Sequence, residues 1–210
     1  MEAARAFLYT QNEEESALLS AILLVTIAAT VSFALVYVLL PEALARFWRR
    51  TSTRDLGHAG SVYLTFDDGP DPQSTPQILA ALKKAGVSAA FFVLAERAAK
   101  FPELVSAIAD QGHVIGSHGS QHLHPWFTSP LRYLRKEILA PIRRNHNDTW
   151  PVYRPPYGKV NLLTLFACTL RRQQVLWWTV DPRDYEQPSS SRVVELVLDA
   201  VHRVGRRGTH

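Results

Sequence analysis

A chain of 210 residues has room for one domain of ordinary size and an appendage. Its 47% hydrophobic and 20% charged content excludes both disorder and a multi-span membrane protein. The net charge of +4 comes from small scattered groups such as Arg49-Arg50, Arg143-Arg144, Arg171-Arg172 and Arg206-Arg207, with no aromatic-interleaved basic run, which argues against a nucleic-acid partner.

Residues 1–16 form an N-terminal tail, and residues 17–40 follow as a run without a charge or a proline. A bilayer core needs about 20 apolar residues, so this run is expected to be a retained transmembrane helix. An uninterrupted apolar run has no polar face to offer water, which argues against a buried core helix. Against a signal peptide, despite Ala43-Leu44-Ala45, stand the run's length and the single N-terminal Arg5. Arg46, Arg49, Arg50 and Arg54 follow the span, so the flanking-charge rule votes for a cytoplasmic C-terminal part. Residues 41–60 read as a polar and basic juxtamembrane linker.

From Ser61 onward short apolar runs alternate with amphipathic stretches, the pattern of repeated strand–helix units. Strands are expected at 62–66, 88–94, 113–117, 151–154 and 174–180, and helices near 74–85, 98–111, 129–145, 160–172 and 190–204. Ser129-Pro130 and Ser189 to Ser191 mark helix starts; Gly86 and Gly112 mark helix stops. Cys168 lies in an apolar helical stretch and reads as a small core residue; as the lone cysteine it excludes an internal disulfide. The strands are apolar throughout rather than alternating, which predicts burial on both faces of a parallel sheet or barrel. Such folds collect chemistry at the C-terminal strand ends. Here four strand ends run into polar clusters: Asp67-Asp68, then SHGSQH (117–122), RPPYG (154–158) and DPRD (181–184).

His118 and His122 are spaced to bring two imidazoles to one side of a helical turn. Gly119 stands where a zinc protease would have glutamate, so the pair is not H-E-x-x-H. Two histidines with one carboxylate and an open position make a common catalytic metal set, and an aspartate from the first strand end can complete it. One aspartate would then meet the cation, which offsets the repulsion between the pair, while the other accepts a proton from the attacking water. Against this stands a plain turn, because D-G and G-P are turn dipeptides.

The ordered segments TFDDGP (65–70), SHGSQH (117–122), RPPYG (154–158) and WTVDPRDY (178–185) resemble the polysaccharide deacetylases, the NodB-homology enzymes of carbohydrate esterase family four. The resemblance covers roughly residues 61–205. It implies a distorted (β/α) barrel that removes acetyl groups, with a divalent transition-metal ion, usually zinc, from chitin-like or peptidoglycan sugars. It also implies Asp67 as general base, Asp68, His118 and His122 as metal ligands, and Arg154 as the residue that positions the base. Asp181 would pair with that arginine, Pro155, Pro156 and Tyr157 would wall the groove, and the Tyr157 backbone N–H would help bind the oxyanion.

The sequence departs from the family at three places. Gly119 replaces a common Ser or Thr, and Tyr185 stands where a Trp is frequent, as an apolar wall. The family's closing L-x-H strand, whose histidine is the general acid, has no counterpart. His210 follows a turn with no strand to aim it, so it is not given that role. The expectation is therefore a deacetylase domain over residues 61–210 that is C-terminally incomplete, on a membrane-anchored chain whose substrate lies on the extracytoplasmic side. Two alternatives remain at this stage: a catalytically impaired, membrane-tethered glycan-binding homologue, and a hydrolase of another non-peptide C–N bond.

Overall fold

The computed structural model describes residues 2–52, 62–139, 150–186 and 189–207. Helix α1 (Glu2–Ala34) continues through a π-helical turn (Leu35–Leu39) into α2 (Leu40–Ser52). Within this element Glu13–Phe47 is long and apolar enough to cross a membrane, and residues 13–36 are all exposed. The segment expected as a linker is thus helical as far as Ser52, and Pro41, which cannot donate within a helix, directly follows the π-helical turn, where Leu40 N–H already reaches back five residues to the Leu35 carbonyl. This helix docks on the domain: Tyr37 Oη accepts a hydrogen bond from Asn161 Nδ2 at 3.0 Å, and Ala45 packs with Val160 and Leu165.

Among the described residues the domain is built on five strands, β1 (Thr65–Gly69), β2 (Ala90–Val93), β3 (Val114–Ser117), β4 (Val152–Tyr153) and β5 (Gln174–Val175). They pair in chain order, all parallel, so every strand end of one kind lies along the same edge. The connections are α3 (Ser74–Ala85), α4 (Ala95–Lys100) with α5 (Pro102–Asp110), and α6 (Pro130–Tyr133) with a π-helical turn (Leu134–Ile138). Next come α7 (Leu162–Leu170) and, after β5, α8 (Ser190–Arg207). The rest of the helix expected over 129–145 lies outside the described residues, as does His210.

The core sits between the sheet and α3–α5, where Phe91, Val93 and Ile115 meet Leu79, Leu82, Ala98, Ile108 and Trp150. A second cluster joins Tyr133 and Ile138 to Ala167 of α7. Cys168 is buried in α7, as expected of a core residue, and burial pushes its thiol pKa up to about 12.

Three expectations shift. The helix expected over 98–111 starts at Ala95 and breaks at Phe101, because Pro102 cannot donate within a helix but starts a new one well. The fifth strand stops at Val175, since its partner β4 turns away into RPPYG after Tyr153 and offers no further ladder. The first strand begins later than expected and takes the two aspartates into the strand itself.

Candidate active site at the strand ends

Between the Phe66–Phe91 and Gly69–Val93 pairs, β1 spends one residue more than β2, so Asp67 and Asp68 form a bulge. Regular strand geometry would send neighbouring side chains to opposite faces. The bulge, with Asp68 in the left-handed region at φ 65°, re-aims them toward two different partners beside the site.

Asp67 Oδ1 accepts a 2.8 Å hydrogen bond from Arg154 Nη1, which also donates to Thr65 Oγ1 at 2.7 Å. Arg154 follows β4, is buried, and lies over the Phe92 ring at 3.9 Å. Burial lowers its pKa and the Asp67 charge opposes that shift, so the ion pair helps keep the buried guanidinium charged.

Asp68 Oδ1 lies 3.5 Å from His118 Nε2 and 3.4 Å from His122 Nε2. Ligand atoms of these three residues all fall within 4.8 Å of one another. His118 follows β3 and is buried, and its Nδ1 is 2.8 Å from the Arg154 carbonyl oxygen. A carbonyl only accepts, so Nδ1 carries the proton. Burial lowers the His118 pKa, against the pull of Asp67 and Asp68, and so favours the neutral ring. Its Nε2 lone pair therefore faces a carboxylate oxygen, an acceptor against an acceptor, and a cation held between them resolves the repulsion. The donor set of two imidazoles and one carboxylate fits a divalent transition ion.

The remaining expected residues divide. Tyr157, left-handed at φ 57° and half exposed, packs at a tilt against His122 at 4.5 Å and His124 at 4.7 Å, and His124 meets Phe127 at 4.5 Å. These rings form one wall that starts at a ligand residue. Pro155 and Pro156 are buried and hold the Tyr157 turn rather than present groove surface. Asp181 does not pair with Arg154. It is exposed, and its Oδ1 accepts the Arg183 N–H at 2.9 Å in a local Asx turn, because no strand leads this segment toward Arg154. Tyr185 stands exposed on the short Asp184–Glu186 helical turn.

Sequence reasoning missed Thr65, although it lies inside TFDDGP, and the Phe92 support under Arg154. It also missed Glu137, buried on the π-helical turn, whose Oε2 accepts the Gln121 N–H at 2.9 Å. The only signal for Glu137 was its helical spacing from the core residue Tyr133. His113, five residues before His118 in the sequence, is buried and accepts the Ala89 N–H through Nδ1 at 3.3 Å.

The polysaccharide deacetylase family profile matches residues 56–169. A peptidoglycan N-acetylglucosamine deacetylase of Bacillus cereus is 38% identical over 65% of this chain and 50% of its own length. A chitooligosaccharide deacetylase of a Bradyrhizobium species is 34% identical over 76% of this chain and 74% of its own. This chain thus spans half the length of the first relative. Among solved structures, a peptidoglycan N-acetylglucosamine deacetylase superposes with a TM-score of 0.61 at 35% identity, covering 69% of each chain. A family 4 carbohydrate esterase from Streptomyces lividans superposes at 0.59 and 30% identity, covering 67% of this chain and 74% of that one. The matched stretch contains Asp67, Asp68, the paired histidines and Arg154, in the strand order that brings them to one edge, and the chain belongs to the polysaccharide deacetylase family.

Proposed function

We propose that this protein is a metal-dependent hydrolase that removes acetyl groups from N-acetylated sugars of a polysaccharide, peptidoglycan or chitin-like, at the cell envelope. The observation that carries this reading is the Nε2 lone pair of His118 turned toward Asp68 Oδ1, beside a second carboxylate, Asp67, held by Arg154. The named activities of the two sequence relatives agree with it.

Asp68, His118 and His122 would hold the divalent ion, with zinc the expected metal. When bound, the ion polarises the acetyl carbonyl and lowers the pKa of a water molecule at the site. Asp67 takes the proton from that water at a carboxylate oxygen. Arg154 keeps the Asp67 carboxylate aimed through the 2.8 Å hydrogen bond from Nη1. The Tyr157 N–H donates toward the oxygen that gains negative charge as the amide carbon becomes tetrahedral. As the C–N bond breaks, the leaving sugar amine takes up the proton that Asp67 received, with acetate as the other product. The His122–Tyr157–His124 wall gives one face of a sugar ring a surface to lie on.

The five-stranded sheet is read as part of the family's distorted barrel, and residues 61–210 as the catalytic domain. The N-terminal helix would anchor the chain as a single membrane span, with the domain on the extracytoplasmic side where a polymeric envelope substrate lies. The arginines after the span count the other way, so a phosphatase fusion after residue 60 decides the side.

The function is tested by acetate release from acetylated chitooligosaccharide and from peptidoglycan with added zinc. The assay uses this chain and the same chain followed by a relative's closing strand. Zinc-dependent release by either supports the proposal, and release by neither overturns it. The exposed position of Asp181, apart from Arg154, favours a second reading: a glycan-binding homologue impaired in catalysis. Sugar binding without release by either form would support that reading.

A further inference from the structure

The loop between the two histidines must present both Nε2 atoms to one oxygen, and it does so in an unfavourable backbone shape. Gly119 has φ 83° and His122, a non-glycine residue, has φ 58°. Such a backbone is strained in a non-glycine residue and persists only when its surroundings hold it. The partners of the loop's main chain show what holds it. The Gly119 and Ser120 carbonyls accept from the Ala95 and Glu96 N–H groups at the start of α4, at 3.0 and 3.3 Å. On the other side, the Gln121 N–H donates to Glu137 Oε2 at 2.9 Å, and the Ser120 and Leu123 N–H groups face the same carboxylate. Glu137 is only 4% exposed, so its carboxyl group has been moved out of water to sit under this loop; that burial raises its pKa, and the loop N–H groups oppose the shift. Its Oε1 occupies the place a Cβ on residue 119 would take, so no side chain fits there while Glu137 is present.

We propose that Glu137 is a positioning residue for the candidate metal ligands. Its buried carboxylate fills the space that Gly119 leaves open and gathers the loop N–H groups, fixing His118 and His122 in the geometry that converges on Asp68. The inference rests on reading Asp68, His118 and His122 as a metal site. It adds a residue from a different element, the π-helical turn, whose role is to hold the loop rather than to touch the ion or the substrate.

The test is a titration of the full-length, detergent-solubilised, metal-free protein with Co²⁺, read by its visible d–d absorption. Glu137→Gln keeps the shape and removes the charge, and Glu137→Asp keeps the charge on a shorter arm. Ile138→Val trims the core cluster on which Leu123 packs and leaves the Glu137 carboxyl group in place. Loss of outer partners of metal ligands typically costs 10–100-fold in affinity. Glu137→Gln is expected to weaken Co²⁺ binding by about that factor and to alter the spectrum, Glu137→Asp to do so less, and Ile138→Val to leave both unchanged. Wild-type affinity and spectrum in Glu137→Gln would overturn the proposal. So would an equal loss of affinity in Ile138→Val, because that would make the effect one of general stability. If Glu137→Gln does not fold, Glu137→Asp decides alone, and unchanged affinity and spectrum there overturn the proposal. Absence of Co²⁺ binding in the wild-type protein would instead sink the metal-site reading, a result distinct from any of these.

Discussion

The carbonyl oxygen of Arg154 lies 2.8 Å from His118 Nδ1, while the side chain of the same arginine reaches Asp67 Oδ1 at 2.8 Å. One residue therefore orients an imidazole of the metal site through its main chain and the proposed base through its guanidinium. Because the two contacts use different atoms, substitution separates them. Arg154→Lys keeps the carbonyl and a positive charge but loses the arm that reaches both Asp67 and Thr65. Misplacement of a catalytic group by about 1 Å can cost about 10²-fold, so turnover should fall by about that factor while zinc affinity stays unchanged. Steady-state kinetics and a zinc titration on the same preparation check both halves. A parallel loss of zinc affinity would show that the guanidinium also supports the metal ligands.

Under the proposed function, a divalent ion held by Asp68, His118 and His122 would stabilise only the folded chain. A ligand that binds only the native state at about 100 times its Kd adds about 2.7 kcal/mol. Thermal unfolding of metal-free protein should therefore move to higher temperature on adding zinc, and a chelator should reverse the shift. Asp68→Ala, which removes the shared oxygen at 3.4–3.5 Å from both rings, should abolish most of this shift. A zinc response in Asp68→Ala equal to that of the unsubstituted protein would place the ion elsewhere.

Most of this site was legible in the sequence, because its residues lie in short contiguous motifs that a parallel sheet must bring to one edge. The bounds of α3 were legible for a local reason: Gly86 adopts φ 67° and caps the helix by accepting the left-handed turn that ends it. What escaped depends on contacts distant along the chain. Asp181 sits in a motif, yet the motif does not say that the strand before it stops at Val175 and leaves the carboxylate to a local turn. Glu137 resembles any acid on an amphipathic helix until the histidine loop is seen resting on it. The bulge at Asp67-Asp68 was hidden for a similar reason: it is a mismatch in pairing with β2, and a mismatch belongs to two strands rather than one.

The buried imidazole gives metal-free protein a predictable acid response. Burial pushes the His118 pKa below its ordinary 6.5. As pH falls through that value the unfolded chain takes up a proton that the native state refuses, so stability is lost as pH falls from about 6.5 toward the lowered native pKa. One such proton corresponds to a slope of up to about 1.4 kcal/mol per pH unit. Denaturant unfolding of metal-free protein between pH 7 and 5 should show this extra slope relative to His118→Gln. Equal slopes in the two proteins would mean that His118 protonates as easily folded as unfolded.

Gly116 offers a test of how the sheet supports the site. It lies in β3, where a Cβ would come within 2.7 Å of the Phe92 ring and 2.8 Å of Val152 Cγ2. The Phe92 ring in turn carries the Arg154 guanidinium at 3.9 Å. Gly116→Ala therefore cannot be absorbed by a flexible side-chain end; it must push an aromatic ring or the neighbouring strand. Overpacking of this kind costs about 1–3 kcal/mol, which denaturant unfolding should report as a lower midpoint at unchanged slope. The displaced ring should also move Arg154 relative to Asp67, so turnover should fall beyond any loss of folded protein at the assay temperature. Normal turnover per folded molecule, alongside the stability loss, would show that Arg154 keeps its aim through Thr65 and Asp67 without the ring beneath it.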